Sequence, residues 1–106
     1  MDESAFMASV DGRRPAMVRL IGELDLASAP QLESMLAGLD GDVELDCSGL
    51  AFIDAAGLRA FQNARERCCA RGCKLVLVDP SPAVDRLLRM VELDSWFLIR
   101  QGKEAS

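Results

Sequence analysis

The feature that most constrains the fold is an alternation of short apolar segments with longer segments of helical periodicity. The predicted strands cover residues 5–10, 16–22, 43–47, 74–78 and 96–99, and the predicted helices cover residues 29–39, 55–71 and 82–91. Strands that alternate with helices pair in parallel through right-handed crossovers. Only the Asp-Gly and Pro turn at 11–15 separates the first two strands, which indicates a hairpin. The pattern predicts an α/β fold with a mixed, mostly parallel sheet of four to five strands.

The third predicted strand indicates where the helices lie. Its apolar residues Val43, Leu45 and Cys47 alternate with Glu44 and Asp46. A strand covered on both sides is apolar throughout, whereas alternation leaves one side in water. We therefore expect the helices to stack mainly on one face of the sheet.

The chain length of 106 residues fits one domain with one core. We expect this domain to cover residues 5–100, with flexible ends at 1–4 and 101–106. Residues 48–53 follow the third strand without a clear period and are interpreted as a connecting loop with apolar anchors.

The composition excludes several classes of partner and location. A formal net charge of −5 without a basic stripe disfavours nucleic acid and anionic membrane surfaces. No apolar run reaches the roughly 20 residues that span a bilayer, so we expect no membrane insertion. The first residues are acidic and polar, unlike a secretory signal, which predicts a cytoplasmic protein.

The inventory of reactive side chains argues against an enzyme. The chain has no histidine and no tyrosine, and it contains neither a glycine-rich phosphate loop nor a Gly-x-Ser-x-Gly motif. Asp25 and Asp54 could do acid–base chemistry, but capping or solvated aspartates explain them better. We predict no catalysis and no cofactor.

The four cysteines do not have the spacing of a metal site, which usually shows two Cys-x-x-Cys pairs or Cys/His combinations. Cys47 and Cys68 fall on apolar faces and are predicted to behave as small buried hydrophobes. Cys69 and Cys73 are the pair expected at the surface, where a thiol switch is an alternative function.

Two helix starts carry capping signals. Ser28 with Gln31 three residues later resembles a capping box, with Pro30 in the first turn. Ser81 followed by Pro82 predicts the start of the third helix.

A third helix start leaves two interpretations open. Asp54 occupies the predicted N-cap, and Ala55, Ala56 and Gly57 leave the first turn almost bare. Small side chains there would let another backbone or an anion approach free amides. Spacing alone favours the other interpretation, a capped helix whose small residues serve packing.

Four short motifs in register make the chain resemble the STAS domains of bacterial anti-sigma-factor antagonists over about residues 5–100. Residues 22–25 read Gly-Glu-Leu-Asp, and residues 54–58, Asp-Ala-Ala-Gly-Leu, match the family signature Asp-Ser-Ser-Gly-Leu. Residues 46–50 and 79–84 also fit, at the expected spacing. The resemblance implies a STAS fold, in which helices stack on the sheet in a β-α superhelix.

The resemblance also implies a function. Such antagonists bind an anti-sigma factor, often a serine kinase with an ATPase-like fold, and so free a sigma factor. The kinase can phosphorylate the second serine of the signature, which is Ala56 here, after Ala55. Without a hydroxyl, this position offers no phosphorylation switch. Three explanations stay open: a permanently active antagonist, a different partner, or a chain substituted to prevent phosphorylation.

The partner-binding surface implied by the resemblance joins the loop after the second strand to the start of the second helix. Its residues are Asp25, Leu26, Ala27, Ser28, Asp54, Ala55, Ala56, Gly57, Leu58 and Arg59. Asp25 would make polar contacts, Asp54 would cap the helix, and Ala56 with Gly57 would permit close approach.

Two other functions remain as alternatives. The chain could be a regulatory or scaffold subunit of a transporter or stress-signalling complex, or an antagonist regulated by oxidation of Cys69 and Cys73. A monomer and a weak dimer both fit the sequence.

Overall fold

A computed structural model describes residues 6–11 and 15–101, where five strands and three helices follow one another in the predicted order. The strands are β1 (Phe6–Asp11), β2 (Ala16–Leu24), β3 (Val43–Ile53), β4 (Leu75–Val78) and β5 (Leu98–Arg100). The helices are α1 (Ala29–Ala37), α2 (Ala55–Ala70) and α3 (Pro82–Met90). The flexible ends predicted at 1–4 and 101–106, except for Gln101, and the middle of the predicted turn at 12–14 lie outside the described residues.

The strands lie side by side in chain order, from β1 to β5. β1 pairs with β2 in the antiparallel sense, and every later pair is parallel. From β2 onwards each crossover moves one strand in the same direction, so right-handed connections place all three helices on one face. The predicted mixed, mostly parallel sheet is confirmed.

Burial along the strands agrees with this arrangement. Leu20, Leu45 and Leu77 stand on the helix side of neighbouring strands and are almost fully buried. The opposite face carries cross-strand ion pairs between Arg19 and Asp46, with N–O separation 3.5 Å, and between Arg100 and Glu44, at 2.9 Å. The predicted stacking of helices mainly on one face is therefore confirmed.

The connecting loop predicted over residues 48–53 is wrong, because β3 continues to Ile53 beside β2. The register between these strands shifts after Arg19 and again after Gly22. Each shift interrupts the alternation of buried and exposed side chains, so Leu50 and Ile53 both face the core although they are three residues apart. A sequence without a period of two was therefore mistaken for a loop.

The last strand is also displaced from its prediction, since Trp96 and Phe97 lie in the turn before β5. Their rings pack edge to face, with centroids 4.8 Å apart, and the guanidinium carbon of Arg65 lies 4.3 Å from the Trp96 ring centroid. These aromatic side chains cover the core from a turn, where β propensity had predicted a strand.

Among the described residues, no helix combines the length and apolar character needed to cross a bilayer.

Candidate functional site

The ends of β2 and β3 bring the two predicted parts of the site together. These strands are parallel neighbours, and Leu24 pairs with Ile53 at their carboxyl ends. The chain leaves β2 into the loop 25–28 and leaves β3 directly into α2. The amide of Asp54 donates a hydrogen bond to the carbonyl of Leu24 (3.2 Å), which ties the start of α2 to the loop.

Asp54 caps α2 as predicted. Its Oδ1 accepts hydrogen bonds from the amides of Ala56 (2.9 Å) and Gly57 (3.0 Å), while its backbone is extended. These bonds occupy two of the free amides that an α-helix leaves in its first turn. The half-buried carboxylate therefore sits beside the backbone of Ala56.

Gly57 has an internal reason to lack a side chain. A Cβ at this position would lie 2.8 Å from both Cγ and the carbonyl oxygen of Leu24, and 2.9 Å from Cγ1 of Ile53. The first turn of α2 therefore packs directly on the end of β2. Leu58 is also buried in the core, whereas Ala55 and Arg59 are exposed and Ala56 is half-buried.

The loop before α1 is held by its own polar groups. Oδ1 of Asp25 accepts from the amides of Ala27 and Ser28, each at 3.1 Å. The Ser28 hydroxyl accepts from the amide of Asp25 and donates to the carbonyl of Glu23, both at 2.9 Å. This network leaves Leu26 at the apex of the loop with 76% of its surface exposed.

The capping box predicted for Ser28 and Gln31 is wrong. Ser28 is the N-cap of α1 and has a helical backbone conformation, and its side chain makes no capping hydrogen bond. The hydroxyl is instead turned back into the loop network. The serine thus fixes the loop that presents Leu26 and does not cap the helix.

A groove of about 340 Å³ lies between the first turns of α1 and α2. Leu26 borders it, and we call it the Leu26 groove; it is lined by Leu26, Ala29, Pro30, Glu33, Ala56 and Arg59. Most of its lining is apolar, while Glu33 and Arg59 supply one charge of each sign. Such a groove can receive an apolar side chain and pair with charges on either side of it.

Sequence reasoning missed Ala29, Pro30 and Glu33 as parts of this site. The carboxylate of Glu33 accepts a hydrogen bond from the side-chain amide of Asn63 (3.3 Å), which joins α1 to α2. Because 30 positions separate these residues, no local pattern signals the contact.

The cysteines are free thiols in this structure. Cys47 is buried as predicted, and its burial, together with the neighbouring Asp46 carboxylate, raises the pKa of its thiol far above the ordinary value. Cys68 and Cys73 are half-buried and Cys69 is exposed. The residues that the structure describes contain no cluster of three or more side chains suited to a metal ion.

Comparison with known proteins identifies the fold. The STAS domain family model matches residues 7–105. The structure is similar to a putative anti-sigma factor antagonist from Thermotoga maritima, with TM-score 0.73, 22% identity, and coverage of 91% of this chain and 86% of that chain.

Two further structures share this fold. An anti-sigma factor antagonist from Mycobacterium paratuberculosis has TM-score 0.78 and 23% identity, over 91% of this chain and 86% of that chain. The phosphorylated form of the Bacillus cell fate determinant SpoIIAA has TM-score 0.70 and 22% identity, over 95% and 96%. No curated protein sequence matches the chain.

Proposed function

The chain belongs to the STAS domain family, and we propose that it is a non-catalytic anti-sigma-factor antagonist without the usual phosphorylation switch. In this proposal it binds an anti-sigma factor in the cytoplasm and thereby frees a sigma factor. The proposed partner is a serine kinase with an ATPase-like fold. The similar antagonist structures support this class of function.

The observation that carries the proposal is the Leu26 groove, which is lined by Ala56, the position that matches the phosphoacceptor serine of the family signature. Ala56 lines the groove, and the exposed Leu26 borders it. An apolar side chain of the partner would enter between Leu26 and Ala56, where desolvation of well-packed apolar groups gives binding energy. Glu33 and Arg59 would form pairs with charges at the rim.

The same geometry explains why phosphorylation at this position would release a partner. A phosphate carries about −1.5 to −2 charges at pH 7. At position 56 it would lie next to the Asp54 carboxylate, which accepts from the Ala56 amide, and would share the groove with Glu33. Repulsion and desolvation would both oppose the complex. Alanine at this position keeps the surface apolar, so binding would persist in the presence of the kinase.

The proposal can be tested by using the purified protein as bait in a lysate of its own organism. The wild-type chain is compared with Leu26→Asp and with Leu98→Asp, and retained proteins are identified by mass spectrometry. Leu98 is a matched control because it is an exposed leucine, 47% accessible, on the distant strand β5. We expect an ATPase-fold anti-sigma factor to bind the wild type and Leu98→Asp, and to be lost with Leu26→Asp.

Two outcomes would contradict the proposal. Equal retention by both variants would place the interface away from the Leu26 groove. Recovery of transporter or scaffold subunits by the wild type, with no anti-sigma factor, would assign the chain to a different regulatory task.

A further inference from the structure

The end of α2 farthest from the Leu26 groove is closed by a turn that brings two cysteines together. The amide of Cys73 donates to the carbonyl of Cys68 (2.8 Å), and the amide of Gly72 donates to the carbonyl of Cys69 (3.1 Å). Gly72 has a φ of +78°, in the left-handed region. These bonds define a Schellman motif, with Cys68 three residues before the C-cap and Cys73 two residues after it.

This motif indicates which cysteine side chains lie on the same side of the turn. The side chains at these two positions of a Schellman motif frequently contact each other, and here both are cysteines. Cys68 and Cys73 line the same small cavity of about 10 Å³, which has room for about one water molecule. Cys69 does not line it and is exposed. The turn therefore pairs Cys73 with Cys68, whereas the sequence had indicated Cys69.

Two cations lie at the same cavity. The side chains of Arg67 and Arg71 contribute to its lining, and Nη2 of Arg67 is buried without a hydrogen-bond partner among the described residues. A guanidinium next to a thiol stabilises the thiolate, which is the reactive form of cysteine. The site thus combines two neighbouring thiols with a guanidinium group, and one nitrogen of that group donates no hydrogen bond to any residue that the structure describes.

We propose that Cys68 and Cys73 form an intramolecular disulfide when the folded protein meets hydrogen peroxide. In the first step a thiolate attacks the O–O bond of the peroxide, which breaks to give a sulfenic acid and a water molecule once protons are counted. In the second step the other sulfur displaces the hydroxyl group of the sulfenic acid as a second water. Two thiols lose two electrons and two protons in total, and the peroxide is reduced to water.

The environment of the two sulfurs assigns their order of reaction. Burial, followed by the charges of Cys73 and Cys69, raises the pKa of the Cys68 thiol, although Arg67 and Arg71 oppose this shift. Cys68 is therefore the poorer first nucleophile. Cys73 is half-exposed in the turn and reacts with the peroxide, after which Cys68 resolves the sulfenic acid.

The experiment treats the folded chain of 106 residues with an equimolar amount of hydrogen peroxide, blocks the remaining thiols and maps tryptic peptides by mass spectrometry. Cleavage after Arg67, Arg71 and Lys74 gives the peptides 68–71 and 72–74. We expect them to be joined, with the loss of two hydrogen atoms, in the wild type and in Cys69→Ser. Cys68→Ser and Cys73→Ser should give no such link. In protein denatured in urea, Cys73 should no longer prefer Cys68 to Cys69 as its disulfide partner.

The Cys69→Ser variant is decisive because Cys69 shares a peptide with Cys68. A link that survives in Cys68→Ser and disappears in Cys69→Ser would overturn the proposed pairing in favour of Cys69 and Cys73. Peroxide treatment that leaves all these peptides unlinked in folded protein would overturn the disulfide itself. Circular dichroism of each variant verifies that it is folded before oxidation.

Discussion

Leu24 occupies the space that a side chain at Gly57 would need. A Cβ at position 57 would lie 2.8 Å from both Cγ and the carbonyl oxygen of Leu24. This contact lets the first turn of α2 rest on the end of β2. It therefore sets the distance between the loop 25–28 and the helix start, and with it the shape of the Leu26 groove.

Gly57→Ala should destabilise the protein by up to about 2 kcal/mol. Alanine gains about 1 kcal/mol of helix propensity over glycine, but overpacking against a neighbour that cannot move costs about 1–3 kcal/mol. The carbonyl of Leu24 belongs to the paired end of β2 and cannot rotate away as a side chain would. Urea unfolding measures the change.

Gly38→Ala is the matched control for this substitution. Gly38 has a φ of −88°, and its added Cβ would lie 3.7 Å from the carbonyl oxygen of Met35, an ordinary contact. We expect a change within about 0.5 kcal/mol, as for most surface substitutions. Equal effects of the two alanines would show that close packing on Leu24 is not what position 57 requires.

Asp54→Ala should cost about 1 kcal/mol of stability, because the amides of Ala56 and Gly57 lose their acceptor. Ser81→Ala removes the corresponding cap of α3, where the hydroxyl accepts from the amide of Val84 at 3.3 Å. Both variants should unfold at lower urea concentration than the wild type.

A measurement of partner binding distinguishes the roles of the Asp54 and Ser81 caps. Asp54 shapes the turn that carries Ala56, whereas Ser81 lies at the start of another helix. Asp54→Ala is therefore expected to weaken binding of the proposed anti-sigma-factor partner, and Ser81→Ala to leave it unchanged in a titration of the folded proteins. Loss of binding in both would point to a general effect of stability.

The contrast between Asp54 and Ser28 shows how much of the site could be predicted from sequence. The Asp54 cap depends on amides two and three residues away, so the local pattern predicts it correctly. Ser28 has the same kind of signal, but its hydroxyl oxygen accepts from the amide of Asp25 in place of a helix amide, and the hydroxyl donates to the carbonyl of Glu23. That carbonyl is brought within reach by the course of the chain after the irregular end of β2, which no capping pattern encodes.

The fold was more predictable than the groove for a similar reason. Strand and helix order depend on periodicity within short segments, and crossover handedness then places the helices. The groove depends on two helix starts lying side by side and on the contact from Glu33 to Asn63. The extent of β3 was missed because its bulges break the period on which strand prediction relies.

The buried thiol of Cys47 predicts a loss of stability in alkali. Its pKa is raised in the folded state by burial and by Asp46, whereas in the unfolded chain it has the ordinary value near 9. Above about pH 9 the unfolded chain releases this proton and the folded chain retains it, so the free energy of unfolding falls as pH rises. One such proton contributes a slope of about 1.4 kcal/mol per pH unit.

Urea unfolding of Cys47→Ala between neutral and alkaline pH measures this contribution. The variant is less stable at every pH because it leaves a cavity, but its stability should decline less steeply than that of the wild type above pH 9. Leu98→Ala, which changes an exposed side chain that does not titrate, is the control and should keep the wild-type slope. A slope in Cys47→Ala as steep as the wild type would mean that other groups account for the alkaline loss.

Two substitutions of Ala56 test the proposed absence of a phosphorylation switch, one that imitates a phosphate and one that supplies a hydroxyl. Ala56→Asp places a carboxylate in the Leu26 groove beside Asp54 and near Glu33. We expect it to weaken binding of the proposed anti-sigma-factor partner at least tenfold in a titration, equivalent to about 1.4 kcal/mol. Ala56→Ser adds only a hydroxyl and should bind as the wild type does until ATP is supplied. If the partner is a serine kinase, radiolabelled phosphate should then enter Ala56→Ser and not the wild type, and the labelled protein should dissociate.

Labelling of the wild type at another serine would show that the switch has moved, and unchanged affinity of Ala56→Asp would place the interface elsewhere.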